Sequence, residues 1–201
     1  MLDKWGIKVT RLPLKVLARP FEMAGITANQ VSVAGFFIGV LSVPLLALQQ
    51  YKAALILIIL NRILDGVDGT LARKAGITDR GGFLDITLDF IFYSAVPLGF
   101  ALADPAHNAL PAAVLIFSFV GTASSFLAFA VMAAKRGLDS PNDGRKSLYY
   151  LSGITEGTET ILFFTAVCIL PDRFAVLAFT FALLCGTTAV GRTVAGYKTL
   201  D

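Results

Sequence analysis

The chain has 201 residues, 56% of them apolar and only 15% charged, with 16 phenylalanines and a mean hydropathy of +0.73. A soluble domain spends about a quarter of its residues on charge, so this composition excludes most soluble folds along with disordered and collagen-like chains. Seventeen basic against 14 acidic residues are too balanced for a nucleic-acid partner; what remains is an all-α integral membrane protein with room for about six spans of roughly 20 residues.

In chain order, Lys8, Arg11, Lys15 and Arg19 recur at helical spacing while Val9, Val16, Leu17 and Phe21 fall elsewhere on the wheel. This predicts a short amphipathic helix on the cytoplasmic leaflet, its cations facing anionic headgroups and its length limited by Pro13 and Pro20. An irregular basic tail is the alternative. Ala28-Asn29-Gln30-Val31 then opens the first span, with Asn29 as a candidate N-cap. Apolar stretches of spanning length follow at 31–48, 53–71, 83–103, 109–134, 157–170 and 174–195. Turn signals separate them at Gln49-Gln50, Ala75-Gly76, Asp104-Pro105, 137–146 and Pro171-Asp172. The expected architecture is one membrane domain over 1–201, with an interfacial segment at 1–27 and a six-helix bundle at 28–196.

Six spans put both termini on one side. That side collects 15 of the 17 Lys and Arg residues, Arg62 and Arg192 among them, leaving only Lys52 and Arg173 opposite. The bias predicts cytoplasmic termini in the cell (inner) membrane. Cys168 and Cys185 lie in apolar runs, far from any CxxC or Cys/His cluster, and read as packing residues.

Carboxylates inside apolar spans are costly and mark function. Asp65 and Asp68 (i, i+3) share a face of the second span with Gly69 and Ala72, and Arg73 stands one turn on; Asp85 and Asp89 (i, i+4) share a face of the third with Gly82. An antiparallel pair joined by a loop over 74–81 would bring the four acids together. Four ionised carboxylates at close quarters in low dielectric demand a cation. The single histidine, His107, belongs to a loop predicted on the opposite side, so all-oxygen ligation points to Mg²⁺ or Mn²⁺, with acids enough for two ions. With Arg73 facing a phosphate, the cluster reads as a metal-bound diphosphate site at the cytoplasmic interface.

The spacing Asp65-x2-Asp68-Gly69-x2-Ala72-Arg73-x8-Gly82-x2-Asp85-x3-Asp89 resembles the signature of the CDP-alcohol phosphatidyltransferase family in all eight residue types. The six spans and basic N-terminal helix extend the likeness over nearly the whole chain. Family members often have Pro-Asn at the first span, where this chain has Ala28-Asn29. The resemblance implies that Asp65, Asp68, Asp85 and Asp89 bind two Mg²⁺ or Mn²⁺ ions and that Asp89 is the general base. It further implies that Gly69, Ala72, Arg73 and Asn29 contact the CDP moiety, that Gly82 keeps the site open, and that the protein is a homodimer. The implied reaction moves a phosphatidyl-type group from a CDP-activated lipid, such as CDP-diacylglycerol, to an alcohol hydroxyl and releases CMP, a step of phospholipid biosynthesis. Two other readings stay open: a cation transporter or channel with an acidic site, and another diphosphate enzyme such as a prenyltransferase.

For the acceptor, polar residues cluster where the fifth span begins: Tyr149, Tyr150, Ser152, Thr155, Glu156, Thr158, Glu159 and Thr160. Glu156 and Glu159 share a face, which suits either a helix N-terminus capped by Thr155 or Ser152 or a cavity wall that repels phosphate. Lys135, Arg136, Arg145 and Lys146 suit either an acceptor phosphate or topology. The glutamates tip the expectation toward a neutral polyol or amino alcohol. The small residues Gly121, Ala123, Ser124 and Ser125 offer a face for helix packing within the chain or between copies.

Overall fold

A computed structural model describes residues 3–138 and 153–201, and side chains from residue 12 onward. Lys8, Arg11, Arg145, Lys146, Tyr149, Tyr150 and Ser152 lie outside what is described. Among the described residues every regular element is helical: α1 Asp3–Met23, α2 Ala28–Val40, α3 Ser42–Ala47, α4 Tyr51–Ala75, α5 Asp79–Ala103, α6 Pro105–Lys135, α7 Gly157–Ile169, a 3₁₀ turn Pro171–Arg173 and α8 Phe174–Thr199. The expected first span is α2 and α3 together, interrupted at Leu41. Pro44 causes the interruption: it has no N–H to give the Val40 carbonyl.

Among the described residues four helical segments are long and apolar enough to cross a membrane: Ala28–Ala47, Asp79–Ala103, Pro105–Lys135 and Pro171–Thr199. The expected six are not all of this kind. Helix α4 has 25 residues but carries Arg62, Asp65, Asp68, Arg73 and Lys74, and α7 has only 13, about 20 Å at 1.5 Å per residue.

Helix α1 runs through both of its prolines. They stand seven residues apart, two turns on one exposed face, where solvent can satisfy the carbonyls they leave unpaired. Its other side docks on the bundle: Ala18, Val31, Val67 and Leu71 form a small core joined by Leu14, Phe21 and Leu64. Leu14 lies so close to Gly66 that a Cβ there would sit 2.7 Å from it.

The main core unites α3 to α8 around aromatic rings. Phe100 stacks on Phe174 at 4.4 Å between centroids, Phe163 on Phe181 at 4.5 Å, and Phe92 meets Phe164 edge-on. Cys168 and Cys185 are buried and free, as their apolar surroundings require. Gly121 of α6 faces Ala189 of α8, where a Cβ would find ordinary contact at 3.6 Å, while Ser124 is exposed. At the other end of the bundle Asp104 caps α6, accepting from the His107 backbone and from its ring Nδ1 at 2.8 Å. That ring contact holds the Asp104 carboxyl below its ordinary range.

Candidate active site

Helix α4 ends at Ala75, and Gly76 leaves it with φ of +102°, a conformation that L side chains resist. Thr78 starts α5, its hydroxyl accepting from Gly81 N at 3.1 Å. The connection is therefore Gly76 to Thr78, much shorter than the expected 74–81, because this cap brings Asp79 and Arg80 into the helix.

The backbones of the two acid-bearing helices stay apart at this level, and α2 packs along both. Two glycines make that possible. A Cβ on Gly39 would stand 2.7 Å from the Phe92 ring and 2.8 Å from Asn61 Nδ2, and one on Gly35 would stand 3.1 Å from Leu64. With Gly35 bare, its carbonyl accepts from Asn61 Nδ2 at 2.8 Å. A small-xxx-small pair thus seats α2 on α4, as helices do in membranes.

The resulting cleft is lined by Ser32, Gly35 and Phe36 of α2, Asn61, Arg62, Asp65 and Asp68 of α4, and Asp85, Leu88 and Asp89 of α5. All four predicted aspartates are here. Oxygens of Asp65, Asp68 and Asp85 approach within 4.8 Å of one another, a spacing at which one hard divalent cation can bridge them. The donor set is all carboxylate, which fits Mg²⁺ or Mn²⁺ as the sequence suggested.

Asp89 is held differently. Its Oδ1 accepts from Arg62 Nη2 at 2.8 Å, while Arg62 Nη1 donates to the Tyr93 hydroxyl at 2.9 Å and Nε to Asn61 Oδ1 at 2.7 Å. Asp65 Oδ2 lies 3.7 Å from the same guanidinium. Arg62 is thus a buried member of the site and no loop charge. Arg192, also assigned to a cytoplasmic end, is buried in α8, its guanidinium near the Phe126 ring and the Thr122 carbonyl.

The other predicted contacts follow the cleft outward along α4 and α5. Arg73 folds back toward Gly69, where a Cβ would meet its Nη1 at 3.3 Å, and its Nη2 donates to Thr70 Oγ1. Ala72 is half-buried on the same helix and Gly82 sits in the first turn of α5, one turn before Asp85. Asn29 is not the N-cap of α2. Thr27 is, because Gln30 closes a capping box with it: Thr27 N donates to Gln30 Oε1 at 2.9 Å and Gln30 N to Thr27 Oγ1. Asn29 instead turns toward α5, where its Oδ1 would be 3.2 Å from a Cβ on Gly81.

Of the residues expected near the acceptor, those described lie outside the lining of this cleft. Glu156 is itself the N-cap of α7: its backbone N donates to Glu159 Oε2 at 3.1 Å and its Oε1 accepts from Gly153 N at 3.0 Å. Neither glutamate lines the cleft. Thr155, expected as the cap, is buried and bonded to Thr188 of α8 through its backbone N and its hydroxyl. Lys135 and Arg136 end α6, exposed. Sequence reasoning missed Ser32, Asn61 and Arg62; an arginine one turn before Asp65 within an apolar span was the available signal.

Comparison with known proteins gives a consistent picture. Over 200 residues the chain is 54% identical to the inner membrane protein YnjF of Escherichia coli, covering all of this chain and 97% of that one. It is 37% identical over 103 residues to archaetidylinositol phosphate synthase of Pyrococcus horikoshii, about half of each chain (51% and 54%). The fold matches Mycobacterium tuberculosis phosphatidylinositol phosphate synthase (PgsA1) with CDP-DAG bound at a TM-score of 0.68 and 20% identity, over 92% of this chain and 93% of that one. The same enzyme in complex with manganese and citrate matches at 0.69 and 21%, over 92% and 88%. The family model for CDP-alcohol phosphatidyltransferases matches residues 25–190, a stretch that holds the cleft and all four aspartates, and the chain belongs to that family.

Proposed function

We propose that this protein transfers a phosphatidyl-type group from a CDP-activated lipid to the hydroxyl of an alcohol and releases CMP. The observation that carries the reading is the cluster of Asp65, Asp68 and Asp85 in a cleft walled by α2, with Asp89 beside it and Gly69, Ala72 and Arg73 on the same helix in the family's register. Asp65, Asp68 and Asp85 would hold divalent metal, and Mg²⁺ or Mn²⁺ bound there neutralises the diphosphate and stabilises the departing CMP. Two ions, with Asp89 near the second, fit the number of acids.

In this reading Gly69 and Ala72 leave the α4 surface flat for the CDP moiety, Arg73 pairs with its phosphate, Asn29 borders it, and Gly82 keeps the α5 side clear. Asp89 accepts the proton of the acceptor hydroxyl. The hydroxyl oxygen bonds to the lipid-bearing phosphorus as the bond from that phosphorus to the oxygen of CMP breaks. The Lys and Arg distribution supports cytoplasmic termini and a cytoplasmic mouth for the site. A homodimer belongs to the same reading through the family resemblance.

CDP-diacylglycerol is the proposed donor. The expectation of an uncharged acceptor rested on Glu156 and Glu159 facing the cleft, and both are engaged at the start of α7. The names of two relatives, both inositol phosphate lipid synthases, favour a second reading with a phosphorylated polyol. Purified protein incubated with labelled CDP-diacylglycerol, Mg²⁺ or Mn²⁺ and a panel of alcohols tests both. CMP release that depends on the alcohol is expected; none with any alcohol would overturn the proposal. Turnover with inositol phosphate or glycerol phosphate, and not with inositol, glycerol, serine or ethanolamine, selects the second reading.

A further inference from the structure

The four aspartates do not form one equivalent set. Three approach one another, while Asp89 is tied to a guanidinium whose side chain is only 8% exposed. Arg62 is held on every side. Its Nε, Nη1 and Nη2 donate to Asn61, Tyr93 and Asp89, and its Cζ lies 4.8 Å from the Phe92 ring centroid and 5.0 Å from that of Tyr93. Asn61 is in turn tied to the Gly35 carbonyl, so one connected network joins α2, α4 and α5 through this arginine. A cation buried among helices and lying against two adjacent rings cannot swing out to water without losing all of these contacts.

Resting on the transferase reading above, we propose that Arg62 is a positioning residue that fixes Asp89 by Oδ1 beside the metal-binding set Asp65, Asp68 and Asp85. Held by one oxygen, Asp89 keeps the other to accept the hydroxyl proton. The arrangement has a cost: a permanent positive charge beside the acid cluster opposes the binding of a divalent cation. A residue that only supported the fold would loosen the site when removed and weaken metal binding. Arg62 should do the reverse.

The test measures Mn²⁺ binding by electron paramagnetic resonance on the detergent-solubilised protein, with CMP release measured in parallel. Arg62→Gln is expected to bind Mn²⁺ about tenfold more tightly, because its cation is gone. Its kcat is expected to fall about 100-fold, the scale of a displaced general base, with little change in KM for the CDP-lipid. Arg62→Lys, which keeps the charge, should hold Mn²⁺ affinity within about threefold of wild type and recover part of kcat. Tyr93→Phe keeps the ring and removes the hydroxyl that Nη1 bonds; its kcat should fall several-fold at unchanged KM. If Arg62→Gln binds Mn²⁺ no more tightly than wild type, or turns over like it, the proposal fails. Should that variant not fold, a Tyr93→Phe enzyme with wild-type kcat overturns the proposal as well. If the wild type releases no CMP from any CDP-lipid, the transferase reading falls, and the Mn²⁺ measurement still decides whether Arg62 opposes the metal.

Discussion

The aspartates divide the site's chemistry by their neighbours. Asp65, Asp68 and Asp85 have one another, an arrangement that stays ionised only with a cation between them. Each of Asp65→Asn, Asp68→Asn and Asp85→Asn should therefore reduce CMP release by at least about 100-fold, the scale of lost charge stabilisation at a reacting phosphoryl group. EDTA should abolish release from the wild-type enzyme, and added Mg²⁺ or Mn²⁺ should restore it. Asp89→Asn keeps the shape of the side chain and removes its basicity, so kcat should fall about 10²- to 10⁴-fold with Mn²⁺ binding to the other three carboxylates retained. Full turnover in EDTA, or a near-wild-type Asp89→Asn, would exclude the mechanism.

At the level of elements, the seating of α2 decides whether the cleft has a third wall. The contact depends on Gly39, whose Cα faces the buried rings and amide of Phe92 and Asn61. Gly39→Ala should force Phe92 out of its place, at a cost of about 1–3 kcal/mol typical of overpacking. Gly186 of α8 is the control, since nothing lies within 4 Å of a Cβ there; Gly186→Ala should be neutral or stabilising by up to about 1 kcal/mol through helix propensity. Thermal unfolding in detergent compares the two, and equal melting temperatures would show that the α2 contact is not close. The helix pair bearing the acids follows from local signals that any reader of the sequence can find: Gly76 after the last helical residue and Thr78 before the next. The α2 contact does not, because Gly35 and Asn61 are 26 positions apart.

At the scale of the molecule, α1 is part of the bundle as well as a surface helix. Leu14, Ala18 and Phe21 close a small core over Val67 and Leu71, on the same helix as Asp65 and Asp68, and Lys74 pairs with Glu22 at 2.6 Å where the two helices end. That pair is half-exposed and adds little to stability; the apolar contact does the holding. If the termini are cytoplasmic, as proposed from the Lys and Arg distribution, a cysteine at Asp79 and one at Asp201 should react with an impermeant maleimide only from the cytoplasmic side of membrane vesicles, and one at Ala106 only from the opposite side. The native Cys168 and Cys185 are buried and leave the readout clean. Labelling of position 79 from outside would invert the topology.

Composition and periodicity by themselves determined the membrane class, the order of the helices and the gathering of Asp65, Asp68, Asp85 and Asp89, because hydropathy is additive along the chain and a helical repeat sets faces locally. The family signature lies within one helix, one short turn and the next helix, so it too was legible without a fold. The partners of Arg62 were not: Asp89 and Tyr93 are 27 and 31 residues away, and a place inside an apolar span marks the arginine without naming what it binds. The fate of Glu156 and Glu159 was equally hidden, since an acid pair at i, i+3 serves a cap or a cavity with the same sequence. Only tertiary packing chose among these uses, because within a membrane an apolar face carries no preference for one neighbour over another, and close fit at residues such as Gly35 and Gly39 decides which helices meet.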